Sequence, residues 1–118
     1  MTVNRVDRLN SLLREVISDV IRTQVKNPKI SSLFTVTRVE ITKDLKHAKV
    51  YISVIGDDKE RKITIKELNK ASGFIAVNSS KQVVMRFFPK LTFILDDSVD
   101  KHMRIEELLK EIHDSKES

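Results

Sequence analysis

Four residues do most to constrain what this chain can fold into. Pro28, Gly56, Gly73 and Pro89 are the only prolines and glycines in 118 positions. Proline breaks the hydrogen-bond ladder of a helix or a central strand, and glycine weakens both. A chain so poor in them is mostly regular structure, and these four mark where it is interrupted. The length suits one domain, and a hydrophobic share of 40% supplies one modest core. The expectation is a single domain over residues 1–113, a charged tail over residues 114–118, and a monomer, since one core accounts for most apolar side chains.

Between the interruptions the periodicity changes. Val6, Leu9, Leu13, Val16 and Val20, flanked by Leu12, Ile17 and Ile21, recur at helical steps until Asn27-Pro28, where proline disfavours helical geometry at the residue before it. Phe34 to Thr42 reads as a strand whose apolar phase slips between Val36 and Val39, the mark of a bulge or a late start. After a short turn at Lys43–Lys46, Ala48, Val50, Ile52 and Val54 alternate with Lys49, Tyr51 and Ser53 as a second strand. Gly56-Asp57-Asp58 leads into a helix through Ile65 and Leu68. Helical spacing resumes with Phe74, Val77, Val84 and Phe87 and stops at Phe88-Pro89. Because glycine costs about 1 kcal/mol in a helix interior, Gly73 reads as a kink between two helices. Leu91, Phe93 and Leu95 give a third strand, and Val99, Met103, Leu108, Leu109 and Ile112 a closing helix. The order predicts an α+β fold, a three-stranded sheet with helices on one face. The five phenylalanines fall mostly on apolar phases and are expected in the core.

Charge is unevenly spread. Residues 1–95 carry 18 basic and 9 acidic side chains, residues 96–118 carry 4 and 8. No acid lies between Glu67 and Asp96, a stretch holding Lys70, Lys81, Arg86 and Lys90. A body this basic collects a polyanion readily, because each neutralised phosphate releases counterions. A solvated lysine-rich surface is the other reading of the same numbers.

Several chemistries are excluded. Without cysteine there are no disulfides, thiolate zinc sites or cysteine nucleophiles, which is compatible with the cytoplasm. No apolar run approaches the roughly 20 residues of a membrane span, and the charged N-terminus does not resemble a signal peptide. His47, His102 and His113 are too far apart to share an ion. Asp57-Asp58 and Asp96-Asp97 sit where turns and helix starts favour aspartate. Two glycines cannot form a nucleotide-binding loop. An enzyme is not expected, nor a cofactor or small-molecule substrate.

The break at Ala71-Ser72-Gly73 is the stronger candidate site. A helix that restarts there offers unpaired N–H groups and the positive end of its dipole, suited to phosphate, with Lys70 and Lys81 to either side. Ser72 reads equally well as an ordinary N-cap. Tyr51, the only tyrosine, either stacks on a base or fills a half-exposed sheet face.

Taken together, N-P-K-I at 27–30, K-D-L-K-H-A-K-V-Y at 43–51, A-S-G-F-I at 71–75 and P-K-L-T-F at 89–93 resemble the ribosome-binding factor A family in sequence and order. The resemblance runs from about Val6 to Ile112. It implies a variant of the type II KH domain in which a helix–kink–helix at Ala71-Ser72-Gly73 replaces the GXXG loop that clamps nucleic acid in ordinary KH domains. It further implies binding to the free small (30S) ribosomal subunit, help in late maturation of 16S rRNA including its 5′ end, and a link to growth in the cold. Relatives often carry a glycine before the R-I motif of the last helix, where this chain has Lys101-His102-Met103. The residues expected to face RNA are Arg5, Arg8, Lys43, Lys46, Lys49, Lys70, Ser72, Gly73, Lys81 and Arg86. A module for an acidic protein partner is the alternative; an RNA-processing nuclease lacks the carboxylate cluster or histidine pair it needs.

Overall fold

The computed structural model of the chain describes residues 4–97. The predicted closing helix, His102, His113 and the Lys101-His102-Met103 departure lie outside the described residues.

Helix α1 spans Arg5–Gln24 and is capped by Asn4, whose Oδ1 accepts the Val6 N–H at 2.6 Å, satisfying one of the free donors of the first turn. Its buried face is Leu13, Val16, Ile17, Val20 and Ile21. Strands β1 (Phe34–Ile41) and β2 (His47–Val54) pair antiparallel, and β3 (Lys90–Leu95) adds to β2 in parallel, giving the order β1-β2-β3. A parallel neighbour requires a long crossover, supplied by α2 (Asp58–Lys70) and α3 (Ser72–Ser80). Asp57 caps α2 by accepting the Glu60 N–H at 2.7 Å.

The expected bulge falls at Thr37, between the pairs Val36↔Ile52 and Arg38↔Tyr51. Without it a strict two-residue alternation would turn Val39 and Ile41 outward. With it Phe34, Val36, Val39 and Ile41 are all buried. They join Ala48, Val50, Ile52, Val54, Leu91 and Phe93 in one core with α1, Leu68 of α2 and Ile75 of α3. Each Val, Leu, Ile or Phe among them stabilises the fold by about 1.5–3 kcal/mol. The opposite sheet face, carrying Thr35, Arg38, Glu40, Lys49 and Thr92, is exposed.

One expectation is corrected. The second helix of the kinked pair ends at Ser80, well before Phe88-Pro89, and the predicted stripe Phe74, Val77, Val84 and Phe87 faces outward, 51%, 58%, 106% and 75% exposed. The core side of α3 is instead Ile75 and Ser79. The same spacing describes either face of a helix; Phe74 and Val77 take the outer one, while Val84 and Phe87 lie beyond the end of α3.

Candidate nucleic-acid interface

The helix junction is open. Ala71 takes φ −90° and ψ 6°, the bridge region rather than helical geometry. Its N–H donates to the Glu67 and Leu68 carbonyls, and its own carbonyl accepts from Ile75 as α3 begins. Thr64, Leu68, Ile75 and Ser79 stay buried at steps of four, seven and four across it, so the junction bends the helix without rotating its inner face. Ala71 precedes α3 and has no side-chain acceptor for its first turn; Ser72 is the helix's first residue, not its cap. Gly73, the next, is exposed, and a Cβ built on it would meet nothing within 4 Å.

Asn69 fastens this region to the sheet. Its side-chain amide accepts the Phe93 N–H at 2.8 Å and donates to the Phe93 carbonyl at 3.0 Å. Beside it, Glu67 accepts from Asn27 Nδ2 at 3.1 Å and pairs with Lys70 at 3.7 Å. The Asn27 hydrogen bond, with the charges of Lys70 and Lys29, holds the Glu67 carboxyl below its ordinary range against the opposing effect of desolvation. Lys70 is thus partly matched by an acid, yet its side chain stays 61% exposed. Lys81 closes α3 at its far end and is exposed.

A second group of cations gathers at the start of the sheet. Asn10 Oδ1 accepts the Ile41 N–H at 2.9 Å, fixing the opening turns of α1, with exposed Arg5 and Arg8, beside the β1–β2 turn that carries Lys43 and Lys46. The Lys90 N–H donates to the Lys46 carbonyl at 2.8 Å, which brings the segment before β3, with Arg86, to the same place. Asp44 organises the turn: it accepts from Thr42 Oγ1 at 2.6 Å and from the Lys46 N–H at 3.0 Å. Those hydrogen bonds, the Thr42 one first, keep its carboxyl below the usual range. Leu45, at the apex, has φ 61°.

Lys49 is the exception among the predicted residues. It points from the open sheet face, paired across the strands with Glu40 and Thr92, away from α3. Tyr51 lies on that face too, and the Arg38 guanidinium sits 4.0 Å from its ring centroid while its hydroxyl donates to Glu40 at 3.3 Å. One side of the ring is therefore already stacked. Sequence reasoning did not anticipate that Phe74, Val77, Val84 and Phe87 stand on the surface; the signal available was their position in the stretch without acids.

The sheet order, the parallel third strand and the kinked crossover define the chain as a KH-like α+β domain with a cationic, partly apolar outer helix face. Residues 5–109 match the family model described as ribosome-binding factor A, and the chain belongs to that family. It is 62% identical over 118 residues to ribosome-binding factor A of Protochlamydia amoebophila, covering all of this chain and 90% of that one. It is 44% identical over 118 residues to that of Halothermothrix orenii, covering 100% and 96%. Among solved structures, it is similar to a putative ribosome binding factor A of Thermotoga maritima, studied in solution, with a TM-score of 0.68 and 30% identity, covering 79% of this chain and 91% of that one. The crystal structure of ribosome-binding factor A from Thermus thermophilus gives 0.68 at 22% identity, covering 78% and 97%. A homology model of the Thermus thermophilus factor fitted into a map of a 30S complex gives 0.63 at 21%, covering 76% and 93%; these last two show the shared fold.

Proposed function

We propose that the chain is a cytoplasmic, monomeric assembly factor that binds the free 30S subunit and assists late maturation of 16S rRNA, including its 5′ end, by non-catalytic RNA binding. Family membership supports the ribosomal partner, and the 30S complex of the Thermus thermophilus factor is in keeping with it. A role in growth at low temperature belongs to the same proposal.

Gly73 is the observation that carries the docking surface. A glycine in the first turn of a helix, outside the left-handed region and with open space where a side chain would stand, meets no requirement of this fold. It does leave the backbone bare for a phosphate to approach a helix start. Around it the outer face of α3 combines Phe74 and Val77 with Lys70 and Lys81. Contiguous exposed apolar side chains mark interaction sites, and the neighbouring cations fit a polyanion. Arg5, Arg8, Lys43, Lys46 and Arg86 extend the surface; Lys49 does not belong to it.

The test is co-sedimentation of the full chain with separated small subunits, large subunits and intact ribosomes. Small subunits should retain it. Lys70→Glu combined with Lys81→Glu should weaken that retention about tenfold with little change in thermal unfolding, since the Lys70–Glu67 pair is exposed on the lysine side and worth little, and the added repulsion from Glu67 at helical spacing costs only about 0.2–0.5 kcal/mol. Wild-type retention by the double variant would overturn the surface.

A further inference from the structure

We infer that the groove between the β1–β2 turn and the segment before β3 is a binding site for a single unstacked nucleobase, with Phe87 as its platform. The inference rests on the RNA-binding reading above and names the part of the RNA that this end of the molecule would hold.

The groove has a volume of about 720 Å³ and is lined chiefly by Leu9, Leu45, Lys46, Val84, Arg86 and Phe87. Three observations point to a ligand. Phe87 and Val84 are 75% and 106% exposed although the chain has a core to bury them in, and exposed apolar side chains meeting in one groove mark a contact surface. Leu45 reaches it from a left-handed backbone at φ 61°, a conformation that costs an L-residue energy and favours glycine or asparagine. A leucine kept there in spite of the strain, 42% exposed, contributes its side chain to the groove. The charge, finally, fits nucleic acid: Lys46 and Arg86 outnumber Asp44 in the lining, and the Asp44 carboxylate is engaged within the turn by Thr42 Oγ1 and the Lys46 N–H. The Arg86 guanidinium lies 5.5 Å from the Phe87 ring centroid, and Lys46 stands on the opposite wall.

An aromatic ring beside an arginine, with further cations at the rim, is how proteins hold unpaired bases while gripping the backbone around them. A duplex cannot use such a site, because its bases are already stacked. The site therefore selects a single-stranded or bulged segment, read by stacking without discrimination among bases.

The experiment uses the full chain and a single-stranded RNA of about ten nucleotides carrying one 2-aminopurine, with a duplex of the same sequence as control. Binding should change the 2-aminopurine fluorescence of the single strand. Phe87→Ala should weaken single-strand binding by roughly tenfold, Phe87→Trp should retain it, and neither should alter duplex binding. Being on an exposed side chain, both variants should unfold like the wild type. The inference is overturned if Phe87→Ala binds the single strand as tightly as the wild type while Lys46→Glu still weakens it; the groove would then suit an apolar protein segment. If the wild type binds no RNA at all, the RNA-binding reading goes with it.

Discussion

Gly73 and Leu45 each run against local preference, in opposite ways. Leu45 occupies a left-handed turn position that glycine would fill without strain. Gly73 occupies a helix position that alanine would fill more stably, with no steric bar to it. Gly73→Ala should therefore stabilise the protein by about 0.5–1 kcal/mol, read as a higher urea midpoint at unchanged slope. The same variant should bind small subunits more weakly, because its methyl group occupies the space that a partner's backbone needs. Stability and binding moving in opposite directions is the signature of a residue kept for contact rather than for folding. If both rise together, the bare backbone serves no partner.

At the scale of the elements, Asn69 ties the helix pair to the sheet with two side-chain hydrogen bonds to Phe93. Its amide replaces a ladder partner for Phe93 on both donor and acceptor sides, which is why a polar residue stands at the C-terminal end of α2. Asn69→Ala leaves the Phe93 N–H and carbonyl without those partners and should cost about 1–2 kcal/mol. Hydrogen exchange should show faster opening of β3 and α2 than of β1 and β2. Uniform acceleration across the sheet would mean that the junction is not separately anchored. Much of this layer was legible in the sequence: the strand alternation, the phase slip that became the Thr37 bulge, the capping Asp57, and a helix break within Ala71-Ser72-Gly73, which falls at Ala71 and leaves Gly73 inside α3. The extent and facing of α3 were not. Phe74, Val77, Val84 and Phe87 keep a helical period, and a period cannot say whether its stripe meets a core or a partner. The tertiary placement of Ile75, fully buried, decides it for Phe74 and Val77; Val84 and Phe87 follow the end of α3 at Ser80.

For the whole molecule, the sequence located cations but not faces. Arg5, Arg8, Lys43, Lys46 and Arg86 converge through the Asn10–Ile41 and Lys90–Lys46 hydrogen bonds, contacts between segments far apart in the chain that no local pattern reveals. Lys49 looked equivalent to them and lies on the other side of the sheet, and Glu67 places a carboxylate beside Lys70 that the acid-free stretch beyond it concealed. The division has a measurable consequence. A surface spanning about six phosphates should lose about 10³-fold in affinity for purified small-subunit rRNA between about 50 and 200 mM salt. Each lysine that contacts a phosphate contributes about one unit to the log–log slope, so Lys81→Ala should lower the slope by about one while Lys49→Ala leaves it unchanged. Both side chains are exposed, so neither substitution disturbs the core, and the comparison isolates which face meets the RNA. A slope that falls with Lys49→Ala and not with Lys81→Ala would place the RNA on the open sheet face, against Arg38 and Tyr51, and leave the α3 face for another partner.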